Sequence, residues 1–229
     1  MFQPDQYIAS LIAHLQAAFG ERLVYVGLQG SYLRGEAGEH SDIDIMAVID
    51  QMTVSDLRAY REAVECLPDA DKSCGFICGR DELLHWNPLE ICHLKHTTKD
   101  YYGVLSDLLP LYTEGDVAAF VKLSIGNLYH EICHRFIHAS REKNEEALGC
   151  TYKGVFFILQ NLHYLESGRF ISTKQELLAA LTGQDRQVLE MALAFSGGQH
   201  PPFDQAFELL FSWCRAALMR ASGWFGTAP

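Results

Sequence analysis

Apolar residues recur at Ile8, Leu11, Ile12, Leu15 and Phe19, with Pro4 opening the stretch and Gly20 just beyond it. That is the three-and-four spacing of one helix face, and proline at the entry and glycine at the exit are helix boundaries, so the pattern predicts an amphipathic helix over 4–19. Residues 22–29 are rich in β-branched and aromatic side chains and stop at glycine, which reads as a buried strand ending in a tight Gly30-Ser31 turn. Over 42–49 acids alternate with apolar residues before the run becomes wholly apolar. This suits a strand whose first part opens onto a site. Thr53-x-x-Asp56 then starts a helix running to about Leu67. Residues 73–79 and 91–96 are shorter strand candidates, with a helical turn at 80–86 between them.

From Asp116 onward the pattern is helical only, with stretches at 116–147, 150–167, 173–182, 184–196 and 202–221, broken at Gly149, Gly168, Gly183, Gly197-Gly198 and Pro201-Pro202. The expected class is α+β: a mixed-sheet domain over 1–112 followed by an all-α helical bundle over 113–229. The length of 229 residues agrees, since domains cluster near about 100–150. A hydrophobic content of 48 % is enough for two cores and excludes disorder as the dominant state.

Charge narrows the function. Lys and Arg number 18 against 29 Asp and Glu, a formal −11, which argues against a protein that coats nucleic acid by neutralising phosphates. The imbalance is uneven: 1–112 carry 8 basic and 17 acidic side chains (net −9), and 113–229 carry 10 and 12 (net −2). Seven cysteines, none in C-x-x-C spacing, read as reduced thiols rather than a zinc or redox site. The first residues lack the basic start of a signal peptide, and no apolar run approaches a membrane span. The expectation is a soluble cytoplasmic protein.

The informative stretch is 30–44, between one apolar strand and the start of the next. Carboxylates at i and i+2 of a strand share a face, so Asp42 and Asp44 can hold a divalent cation jointly, while Ile43 and Ile45 point the other way. A glycine turn leading into a helix exposes backbone N–H groups to phosphate oxygens, and Ser31 adds a hydroxyl. A Gly-Ser turn alone, or an Asp-x-Asp pair alone, is commonly just a turn or a solvated strand start. The two together, on neighbouring strand ends, fit a metal-bound triphosphate.

Gly30-Ser31, Arg34-Gly35-Glu36-Ala37 and Ser41-Asp42-Ile43-Asp44 resemble the signature of the DNA polymerase beta nucleotidyltransferase superfamily, written GS, a spacer, then D-x-D. The form is most similar to its small bacterial branch, the minimal and antibiotic nucleotidyltransferases. The resemblance implies transfer of a nucleoside monophosphate, by preference AMP, from a nucleoside triphosphate with Mg²⁺ or Mn²⁺ to a hydroxyl of a small molecule or protein, by a two-metal mechanism. Carried over residue by residue, Gly30, Ser31 and Ser41 bind nucleotide, and Asp42 and Asp44 hold the metals. Arg34 either steadies a phosphate or pairs with Glu36 or Glu39. Lys153 in the helical half either reaches the outer phosphates or is a solvated lysine. Active members have a third carboxylate on a later strand, and 73–79 contain none. Of the nearby acids Asp69, Asp71, Asp81, Glu82 and Glu90, the last is favoured as the start of the 91–96 strand. Either such a displaced acid serves, or the chain is a nucleotide-binding module with weak or no catalysis.

A competing motif is His130-Glu-Ile-Cys-His134, which fits H-E-x-x-H and so a zinc hydrolase, with His138 continuing the row. The third-ligand spacing of such enzymes is not met. Helical geometry sets the row apart from a buried stripe predicted at Val121, Ile125, Leu128, Ile132 and Phe136, so these imidazoles face away from the bundle core.

Overall fold

The computed structural model describes residues 2–225, which form two compact units divided between Tyr112 and Thr113. In the first, α1 (Pro4–Phe19) leads into β1 (Leu23–Leu28), a short α2 (Gly30–Leu33), β2 (Ile43–Ile49), α3 (Val54–Glu65), β3 (Ser73–Gly79), α4 (Arg80–Leu84), α5 (Pro88–His96) and β4 (Lys99–Tyr102). The strands form one sheet in the order β3-β2-β1-β4. β1 runs antiparallel to both β2 and β4, whereas β2 and β3 are parallel, so the sheet is mixed.

Strand alternation explains why this sheet has two cores. Ile43, Ile45 and Ile49 of β2 pack with Ile8, Leu11 and Leu15 of α1 and Ala63 of α3. Met46 and Val48 turn the other way, onto Tyr25, Cys78, Leu83 and Leu105. Asp44 shares that second face with Met46 and Val48, at the end of the strand that opens from the loop.

The strand expected at 91–96 is instead the body of α5, entered by Asn87, whose side chain accepts from Leu89 N, and by Pro88. Its Ile91 and Cys92 are buried. A six-residue apolar run cannot tell strand from helix, and the Asn-Pro entry decides it. The fourth strand is β4, whose polar Lys99 and Asp100 carry no strand pattern of their own.

The second unit is a helical bundle: α6 (Glu114–His138), α7 (Arg141–Lys153), α8 (Val155–Ser167), α9 (Lys174–Ala180), α10 (Gly183–Ser196) and α11 (Phe203–Ser222). Val121, Ile125, Tyr152, Leu159, Leu189, Leu210 and Trp213 are buried in one core. Two of its large aromatic side chains have their polar ends paired: the Tyr152 hydroxyl donates to Ala206 O at 2.7 Å and Trp213 Nε1 to Asp185 Oδ1 at 2.7 Å.

The breaks between the first helices of the bundle differ from expectation. The long helix ends at Ala139, whose extended backbone hands over to Ser140 as N-cap of α7, and Gly149 stays inside α7. A Cβ on Gly149 would stand 3.3 Å from the Phe195 ring, so this glycine serves close helix packing rather than a break. The stretch 150–167 is divided at Gly154 between α7 and α8. Phe136 also departs from the buried stripe: it is 54 % exposed and stacks on Phe207 at 4.5 Å. Among the described residues no helix is long and apolar enough to cross a membrane, and the seven cysteines are all free thiols.

Candidate functional site

The acid pair and the glycine turn meet. Gly30 opens α2 with φ of 70°, the left-handed region that favours glycine. A Cβ built there would lie 1.8 Å from Asp44 Oδ2, so the Asp44 carboxylate occupies the space a side chain at residue 30 would need. Gln29 N donates to Asp44 O at 2.8 Å, extending the β1–β2 pairing up to the turn and fixing that contact. The first N–H groups of α2 have no acceptor within so short a helix, and Ser31 is half-buried beside them.

Asp42 is exposed in the residue preceding β2, and Asp44 is half-buried two residues on. Burial pushes the Asp44 carboxyl above the usual carboxylate range, and the Asp42 charge pushes it further. Arg34 and a hydrogen bond from the Cys74 thiol act the other way without cancelling the rise. The pair is therefore an anionic site in need of positive charge, with the oxygen donors that suit Mg²⁺ or Mn²⁺.

Arg34 Nε binds Glu36 Oε2 at 2.9 Å, and both side chains are largely buried. Of the two readings open in the sequence, the salt bridge to Glu36 is formed, and the charge still bears on Asp44. Ser41 closes the turn before the acids: its hydroxyl accepts from Gly38 N at 2.9 Å and its own N–H donates to Gly38 O at 3.1 Å. Gly30, Arg34, Asp42 and Asp44 thus form one cluster with Ser31 and Ser41 in its flanking turns. Glu90 does not stand at a strand start. It lies exposed on α5 and accepts from Trp86 Nε1 at 2.5 Å. Lys153 is the exposed last residue of α7 in the second unit.

Two residues that sequence reasoning passed over belong here. The parallel register sets Cys74 of β3 beside Asp44 of β2, and burial together with the Asp44 charge raises its thiol pKa. No acid stands on β3. His93 of α5 is half-buried, and desolvation with the charge of Arg34 brings its pKa down to about 4, so it is neutral at pH 7. Register pairing cannot be read from a single strand, and His93 fell within the mistaken strand.

In the second unit His130, His134 and His138 are exposed on α6, as the helical offset predicts. Glu131 is engaged by Arg135 at 3.2 Å. Among the described residues no group of three or more His, Cys, Asp or Glu side chains is placed to hold a metal ion.

Residues 12–72 match the family described as nucleotidyltransferase domain, a span that includes the whole of 30–44. No curated protein matches the chain significantly. Among solved structures the chain is similar in fold to the spectinomycin adenyltransferase of Enterococcus faecialis, crystallised with ATP and spectinomycin. The likeness has a TM-score of 0.58 at 14 % identity and covers 93 % of this chain and 98 % of that one. The match to the nucleotidyltransferase domain model thus takes in the Gly30 to Asp44 cluster, and the similar structure shares the fold around it.

Proposed function

We propose that the protein transfers a nucleoside monophosphate, AMP by preference, from a metal-bound nucleoside triphosphate to a hydroxyl of a small-molecule or protein acceptor. One observation supports the reading: the Asp44 carboxylate fills the space left open at Gly30, so the glycine turn and the acid are in direct contact, as a phosphate-binding turn and a cation-binding acid would be. Asp42 and Asp44 would hold Mg²⁺ or Mn²⁺, which supplies charge neutralisation for the triphosphate and polarises the acceptor oxygen. Gly30 and Ser31 present N–H and hydroxyl donors to the outer phosphates. Arg34, anchored by Glu36, keeps a positive charge beside the acids. In this reading 1–112 carry the nucleotide chemistry and 113–229 acceptor specificity, with Lys153 a candidate for phosphate contact. The neighbour's ATP and spectinomycin make an adenylyl donor and a hydroxylated small acceptor the first pair to assay.

A second reading, nucleotide binding with weak catalysis, is favoured by Cys74. A thiol stands beside Asp44 where a carboxylate could have served as base toward the acceptor hydroxyl. Calorimetric titration with Mg–ATP tests what both readings share: wild type binds saturably and Asp42→Asn loses that binding, whereas equal binding by the two proteins rejects the site. Pyrophosphate release with hydroxylated acceptors then separates the transferase from the binding module.

A further inference from the structure

The histidine row on α6 belongs to the second unit and has no assigned role in the proposed nucleotide chemistry, and its geometry separates one pair from the other. His130, His134 and His138 follow each other one helical turn apart, all exposed. Their ring centroids are 6.0 Å apart for His130 and His134 and 4.7 Å apart for His134 and His138. A metal-bound imidazole nitrogen sits at about 2.0–2.1 Å, which holds its ring centroid roughly 3.2 Å from the metal. Two rings on one ion therefore have centroids roughly 4.5 Å apart at a square-planar angle and 5.2 Å at a tetrahedral one. The second pair falls inside that window and the first falls outside it.

We propose that His134 and His138 form a two-imidazole clip for a borderline divalent transition metal such as Ni²⁺, Co²⁺, Zn²⁺ or Cu²⁺. The pair is not the one that the H-E-x-x-H motif names. Imidazole nitrogen selects this group of ions, whereas the oxygen donors of Asp42 and Asp44 select Mg²⁺ or Mn²⁺, so ligand chemistry keeps the two sites distinct. With two protein ligands, the other coordination positions remain open to water or to a ligand brought by another molecule.

The test is a calorimetric titration of the tag-free full chain with Ni²⁺. The expected result is one saturable Ni²⁺ per chain. His138→Ala weakens it by roughly 10²-fold, because the second imidazole of a chelate acts at high effective concentration. His130→Ala leaves it unchanged. All three positions are exposed, so the variants keep the fold. Absence of saturable binding, binding indifferent to His138→Ala, or an equal loss in His130→Ala would each overturn the clip.

Discussion

Asp44 is held where its charge is costly. Burial and the neighbouring Asp42 charge raise its pKa, and Arg34 and Cys74 compensate only in part. A carboxyl whose pKa is higher folded than unfolded binds its proton more tightly in the native state. Its ionisation therefore destabilises the fold above the raised pKa and has no effect below the unfolded value. Asp44→Asn removes that penalty, so the variant should melt at a higher temperature than wild type at pH 7 while losing Mg–ATP binding. The gap in melting temperature should close as pH falls through the carboxylate range. Melting curves across that range check the sign, and a variant less stable than wild type at pH 7 would show that Asp44 is structural. A carboxylate kept where burial and a like charge oppose its ionisation is the mark of a site maintained for its ligand.

Helix boundaries show how far local chemistry reaches. Thr53 and Asp56 cap α3 reciprocally: Asp56 N donates to Thr53 Oγ1 at 3.3 Å and Thr53 N to Asp56 Oδ2 at 2.8 Å. Thr113 and Asp116 repeat the arrangement at α6, with N–H to carboxylate at 2.7 Å. The first box was visible in the sequence because a polar stretch precedes it. The second was missed by two residues, since the apolar period there begins only after Asp116. Thr53→Ala and Thr113→Ala should each cost about 1 kcal/mol in urea unfolding, through the loss of one cap. The same contrast explains the larger misses. Elements with a full period or a cap, such as α1, β1, β2 and α3, could be read directly. Residues 91–96 and β4 could not, because too few positions carry a period and sheet partners are chosen by tertiary contacts. At the site, the Gly30 to Asp44 cluster was readable because its residues are close in the chain, whereas Cys74 is brought to Asp44 only by β2–β3 pairing.

At the scale of the whole molecule the sign of the charge shapes what it can bind. Residues 1–112 carry 8 basic and 17 acidic side chains, yet the reading asks them to receive a polyanion. Arg34, whose charge bears on Asp44, is already shared with Glu36. A triphosphate without metal must therefore approach a field of its own sign, and screening by salt reduces that repulsion over a Debye length of about 10 Å at 0.1 M. Two opposite salt responses follow. With Mg²⁺ removed by chelation, ATP binding should be weak and should strengthen as monovalent salt rises from roughly 50 to 200 mM. With Mg²⁺ present, binding should be tighter and nearly flat over that range, because the cation carries the attraction at contact distance. A protein that binds phosphates through a basic face does the reverse, losing affinity steeply as salt rises. Titrations with ATP at two salt concentrations, each with and without Mg²⁺, decide between them: metal-free affinity that falls with salt would mean that a basic surface, not the Asp42 and Asp44 pair, receives the nucleotide.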